Sequence, residues 1–200
     1  AGAMLGDGWY APPLGARSVG LLPWTEDALV NYLLDGWDGD HGVAAGPMTA
    51  VVDNLAVIDE DDAYAMAAYL LAAGGGGAGP AEDARASARA RELSGQTPAA
   101  AERDLYRSDP ALLEGLEIFA ARCANCHRQG SDTTPLAVTA ALRADNPANV
   151  VAVVRHGVRP PQGAPTKTMP AFPALDDREM RNLLRFMRAH FTDQPPWPDT

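Results

Sequence analysis

The stretch Cys123-Ala124-Asn125-Cys126-His127 decides how this chain is to be read, because it sets two thiols one turn apart and follows them at once with an imidazole. At that spacing the two sulfurs can add across the two vinyl groups of one porphyrin, and the histidine is then held beneath the iron as an axial ligand. A structural zinc site would take about four Cys/His ligands, whereas the chain has only these two cysteines and three further histidines, none paired at finger spacing. A redox dithiol of the thioredoxin type belongs with a βαβ pattern. Both flanks of this motif read instead as helices between Pro/Gly-rich loops. The motif points to covalently attached haem c.

Working outward, Asp109-Pro110 is an N-cap followed by proline at the first helical position, and the helix it opens runs to about Arg122, directly into the motif. Leu112, Leu113, Leu116 and Phe119 form its inner face. Asn146-Pro147 starts another helix in the same way, with Val150, Val151, Val153 and Val154 inside and Gly157 as its stop. The last helix begins at Asp176, where Glu179 completes a capping box, and ends near Phe191.

Upstream, residues 1–23 are rich in Gly and Pro and read as an ordered loop. Thr25 caps a helix whose acidic Glu26 and Asp27 suit the positive end of the helix dipole. Its stripe of Ala28, Leu29, Tyr32 and Leu33 stops near Gly36. A short helical turn is expected at 49–54, and a longer helix over 60–73, capped by Asp59 and carrying Tyr64, Ala67, Ala68 and Leu71. Residues 74–80, Gly-Gly-Gly-Gly-Ala-Gly-Pro, sustain neither helix nor strand at tolerable entropy cost and mark a domain boundary. Residues 81–106, Ala-rich with mixed charge, read as surface helices over the seam between domains rather than as core.

The two halves repeat. Leu29–Gly36 aligns with Val150–Gly157 at an offset of 121, and the same offset carries Met48 onto Met169, twelve residues beyond the glycine each time. The final helices follow at an offset of 117, placing Tyr69 on Phe186, and Pro13-Leu14 falls on Pro135-Leu136 at 122.

Cys123-Ala-Asn-Cys-His127, Met169-Pro170 and Gly46-Pro47-Met48 together resemble the class I-like cytochrome c domain, and more closely the multihaem cytochrome subunits of bacterial membrane-associated dehydrogenases. The resemblance covers almost the whole chain except residues 81–108. It implies an all-α fold: a partial cytochrome c-like domain at 1–80, comprising the distal half and methionine loop, a linker at 81–108, and a complete cytochrome c domain with a C-terminal tail at 109–200. No CxxCH precedes the first half, so the resemblance implies a further upstream segment that carries one.

Within the second domain the resemblance implies that His127 ligates iron and that the ring's other nitrogen hydrogen-bonds the carbonyl at Pro135. Met169, 42 residues beyond His127 in a Pro-rich loop, is implied as the opposite axial ligand; such a sulfur raises the haem potential. Methionine is also a common core filler, but Met66, Met180 and Met187 sit on expected helices and Met4 near the terminus, leaving Met48 and Met169 in loops. Met48 would be an axial ligand only of a second haem. Arg155, His156 and Arg159 are candidates to meet haem propionates. His41 and His190 are expected at the surface, and Gly115 and Phe119 are expected to meet Phe186.

The net charge of −10 sits in residues 1–80, which hold Arg17 as their one basic residue against eleven acidic ones. A field of that sign disfavours nucleic acid and anionic lipid and can steer a basic partner. No run of 18 or more apolar residues occurs, so no transmembrane segment is expected, and the N-terminus lacks the charged and apolar regions of a signal peptide. Haem c is made outside the cytoplasm, so the resemblance implies a periplasmic protein, or one on the outer face of the cytoplasmic membrane, with its signal removed or upstream.

A haem with both axial positions filled has no open site for substrate, which argues electron transfer rather than catalysis. The resemblance implies a dehydrogenase catalytic subunit, or another redox protein, as partner. The alternatives are a stand-alone electron carrier, against which the tail Gln194-Pro-Pro-Trp197-Pro leans as a docking segment, and a dihaem enzyme of the peroxidase type, which needs one open or displaceable ligand.

Overall fold

A computed structural model of the chain describes residues 2–13, 18–77, 84–85, 88, 100–128, 131, 133–160 and 167–198. The chain is mostly helical, as expected. Among the described residues the strands are two-residue ribbons: β1 (Ala3–Met4) pairs antiparallel with β2 (Tyr10–Ala11), and β3 (Trp37–Asp38) with β4 (Gly42–Val43).

In the first half, α1 (Glu26–Leu34) starts where Thr25 Oγ1 accepts the amide of Ala28 at 3.1 Å. The turn expected at 49–54 is a longer helix, α2 (Pro47–Leu55), because Gly46 at φ 56° bends the chain into Pro47 at the first helical position. Met48 is therefore on the first turn of a helix and not in a loop. α3 (Glu60–Ala73) has the expected bounds, although the Asp59 side chain makes no capping hydrogen bond. α1 and α3 pack through Leu29, Val30, Ala63, Ala67 and Leu71. The glycine run ends α3, with Gly75 and Gly76 at φ 98° and 101°; residues 78–80 lie outside the described residues, as do most of the surface helices expected over 81–99.

The described end of that linker departs from expectation. α4 (Ala100–Ser108) is no mere cover, for Tyr106 is buried in the core of the second half, edge-on to Phe186 at 5.5 Å between ring centroids. Burying an aromatic side chain outweighs the polarity of the helix around it.

The second half is built on α5 (Pro110–Arg122) crossed by α8 (Asp177–Phe191). Asp109 Oδ1 accepts the amides of Ala111 and Leu112, and Asp176 and Glu179 form the full capping box. At the crossing sits Gly115, where a Cβ would lie 2.1 Å from the Asn182 carbonyl oxygen and 2.7 Å from Phe186 Cβ, so only glycine lets the helices approach this closely. Between them run a 3-10 turn (Leu136–Val138), α6 (Ala140–Arg143) and α7 (Ala148–His156), whose first amide is accepted by Asn146 Oδ1 at 2.8 Å. Phe119, Leu142, Val150, Val154, Leu183, Leu184 and Phe186 make the centre of the core.

The tail does not extend as a free docking segment. Trp197 is buried against this same half, donating to the Ala144 carbonyl at 2.8 Å beneath the Arg188 guanidinium, which lies 4.1 Å from its ring centroid. Arg188 also donates to the carbonyls of Leu142, Ala144 and Pro195. Buried polar groups of this kind persist only when paired, and folding the tail inward brings the Pro195 carbonyl and the Trp197 ring to Arg188. The two halves meet where Asn149 exchanges two 2.8 Å hydrogen bonds with the backbone of Tyr10, and where Leu22 packs on Val138.

Candidate haem-attachment site

The site begins where α5 ends. Cys123 is the C-cap, its amide bonded to the Phe119 carbonyl, and the amides of Cys126 and His127 both turn back to the Cys123 carbonyl at 3.1 and 3.0 Å. The motif is thus one tight turn hung from a helix that is buried through Gly115, Ile118 and Phe119. Thr133 Oγ1 donates to the Cys126 carbonyl at 3.1 Å and holds the turn from beyond.

Both cysteines are free. Cys123 is half-buried and packs against the core, and burial pushes its thiol up to about 11, with Cys126 adding to the shift and Arg122 opposing it. Cys126 is exposed. His127 is half-buried, and loss of hydration holds its imidazole below the ordinary value, in the neutral form that ligates metals. Its Nδ1 is enclosed and has no hydrogen-bond partner. The expected bond from this nitrogen to Pro135 is not made, because the Pro135 carbonyl accepts instead from the Val138 amide at 3.1 Å and the Thr139 hydroxyl at 3.4 Å.

Met169 reaches the same core cluster as Cys123. It is fixed by a pair of backbone hydrogen bonds with Val158, at 2.9 and 3.0 Å. Gly157, at φ 73°, makes this possible, since a Cβ there would lie 2.4 Å from the Met169 carbonyl oxygen. The structure thus brings Cys123 and Met169 together on one core. Two free thiols on one turn, a neutral imidazole directly after them and a half-buried thioether packed on the same core cluster as Cys123 fit the donor set that haem c requires, and the enclosed, unpartnered Nδ1 is the nitrogen left for a hydrogen bond to the protein.

The remaining candidates divide. Arg155 is engaged by Asp177 at 2.7 Å, while His156 and Arg159 are exposed. The expectation that His41 and His190 face solvent is wrong for both. The His190 ring stacks on Phe186 at 5.2 Å, and the Tyr106 hydroxyl approaches its Nδ1 at 3.3 Å. His41 is held by Asp38 beneath Trp24. The Asp38–His41 spacing of three residues is a legible signal for that pair; nothing in the local sequence marks Tyr106 or Trp197 as core.

A helical domain that hands two free thiols and a neutral imidazole off a helix end is of the c-type cytochrome class, and residues 110–187 match the family described as "Cytochrome C oxidase, cbb3-type, subunit III". The match is to a cytochrome c family, and a domain of that family implies covalently bound haem c. Over nearly its whole length the chain is similar to three larger proteins. It is 35% identical over 207 residues to a nicotinate dehydrogenase subunit of Pseudomonas putida, covering 98% of this chain and 16% of that protein. It is 32% identical over 194 residues to the gluconate 2-dehydrogenase cytochrome c subunit of Pantoea cypripedii, covering 91% and 41%. It is 28% identical over 201 residues to the cytochrome c subunit of the quinone-dependent alcohol dehydrogenase of Gluconacetobacter polyoxogenes, covering 95% and 40%. The chain therefore spans less than half the length of each of these relatives.

Proposed function

We propose that this chain is the electron-transfer part of a dehydrogenase complex outside the cytoplasm, receiving electrons from a catalytic subunit through haem c held by Cys123, Cys126, His127 and Met169. The observation that carries the reading is the motif turn itself, with both thiols free and His127 enclosed at the end of α5. When bound, the haem stores and passes single electrons. The protein's part is to hold His127 neutral and to fix Met169 through Val158, so that little rearranges as charge changes. The bond between the His127 ring and the Pro135 carbonyl belongs to the haem-loaded state in this reading. A periplasmic location follows from where haem c is attached; among the described residues no helix is long and apolar enough to cross a membrane.

The proposal divides the chain at 1–80, 81–108 and 109–200, and gives the first half a second haem with Met48 as axial ligand once an upstream segment supplies a CxxCH. Supporting this, α3 leaves an open, mainly apolar groove lined by Leu55, Ile58, Ala65, Met66 and Tyr69, with Asp62 at its edge. On the repeat, Tyr69 corresponds to Phe186, which α5 covers. The relatives align with both halves and are far longer than this chain.

In the haem-loaded protein, Met169→Ala is expected to abolish the far-red methionine-to-iron absorption band of one haem and to lower its potential while helicity persists. An unchanged spectrum and potential would show that Met169 is not the ligand. Haem counting on the native polypeptide tests the first half: two or more haems support the assignment, and one haem with residues 5–73 well folded refutes it.

A further inference from the structure

The two methionine segments of the repeat are held in different ways. In the second half Val158, directly after Gly157, pairs with Met169 through backbone hydrogen bonds of 2.9 and 3.0 Å. The aligned residue of the first half is Trp37, directly after Gly36, and it pairs with Val43 instead of Met48. The Gly36 carbonyl is also taken up short of the methionine, accepting the Ala44 amide at 2.8 Å. Met48 is left on the first turn of α2, where Gly46 is the N-cap and supplies no side chain to hold the turn.

Against this turn lies an indole from the N-terminal ribbon. Gly46 stands at φ 56° and ψ −129°, and a Cβ there would fall within the Trp9 ring, 2.5 Å from Cζ2 and 2.7 Å from Cδ2. The ring is therefore laid on bare backbone two residues before Met48. Trp9 is itself fixed by its surroundings. Its carbonyl accepts the Leu5 amide at 2.7 Å, and the next residue, Tyr10, is gripped by the second half: Asn149 Oδ1 accepts the Tyr10 amide and Asn149 Nδ2 donates to the Tyr10 carbonyl, both at 2.8 Å. One side-chain amide using both its groups on one residue fixes the ribbon in place and orientation, and an aromatic ring gives a rigid face with large contact area.

We propose that Trp9 is the positioning residue for Met48, pressed on Gly46 by a ribbon that Asn149 of the other half clamps. The inference rests on the reading that Met48 ligates a haem of the first half. Trp9 supplies from outside the support that Val158 gives Met169 through the backbone. An axial thioether raises the haem potential while it is bound to iron, so a Met48 turn that loses its support gives a weaker bond and a lower potential.

The test uses the native full-length, haem-loaded polypeptide, in which Met48→Ala marks the redox wave and far-red band of the first half. Trp9→Ala is expected to weaken that band and lower that wave's midpoint potential, with the haem count and the Met169 haem unmoved. Trp9→Phe, which keeps a flat ring on Gly46, is expected to restore much of both. Asn149→Ala, a change in the other half, is expected to move the same wave in the same direction by less. An unmoved band and potential in Trp9→Ala, with the second haem present, overturn the inference and leave the Met48 assignment standing. Equal shifts at the Met48 and Met169 haems would mean general loosening and overturn it too. A silent Met48→Ala, or a single haem in the native polypeptide, overturns the assignment and the inference together. If Trp9→Ala does not hold its haem, Asn149→Ala, which keeps the ring and frees the ribbon, carries the test alone, and an unmoved Met48 band there overturns the inference.

Discussion

α3 and α8 align on the sequence repeat at an offset of 117, and their burial differs in one respect. Along α3 only Ala63, Ala67 and Leu71 are buried, a single stripe facing α1. Along α8 the aligned Met180 and Leu184 are buried, and so are Leu183 and Phe186, which align with Met66 and Tyr69. Tyr69 is 72% exposed and Phe186 is 1% exposed. The added face on α8 is the one that α5 crosses at Gly115. An aromatic residue at one phase of a helix is thus core or surface according to whether a second helix arrives, which local sequence does not state.

The strongest way to break the symmetry is to remove the attachment chemistry. Cys123→Ala with Cys126→Ala is expected to abolish covalent haem in residues 109–198 and leave that half largely unfolded, while the helices of the first half persist. Circular dichroism with haem staining on denaturing gels reads this out, and a native second half without haem would refute it. Next, Phe186→Ala is expected to cost roughly 3–5 kcal/mol in denaturant unfolding, whereas Tyr69→Ala in this 200-residue chain should stay within about 0.5 kcal/mol. In a polypeptide extended by the upstream segment proposed above, Tyr69→Ala should become costly, and equal small effects in both settings would show that nothing covers α3. The smallest contrast is at the caps: thermal or denaturant unfolding should show a cost of about 1 kcal/mol for Asp176→Ala and almost none for Asp59→Ala, since only Asp176 makes its box.

The site is legible in proportion to how local its chemistry is. The thiol spacing, the following imidazole and the proline-started α5 fall within one run of sequence, and the structure places them as a single turn. Met169 is legible through the repeat with Met48, yet Met48 itself sits on a helix because Gly46-Pro47 initiates one there. The bond expected between His127 and Pro135 is missing, since the Pro135 carbonyl is occupied by the 3-10 turn that follows it. His41 fails the surface expectation. A histidine in a Gly/Asp-rich loop reads as polar, and only the three-dimensional closeness of Trp24 buries it.

Sequence alone determined the helix starts at Thr25, Asp109 and Asp176, because a capping side chain acts on hydrogen bonds within one turn. It also determined the haem motif, because attachment needs only five consecutive residues. The tertiary structure decided which apolar and polar groups are inside. Tyr106 and Trp197 come from a polar helix and a proline-rich tail, and they are core because Phe186 and Arg188 offer surfaces that bury them. Burial depends on what arrives from elsewhere in the chain, and no local pattern encodes that arrival.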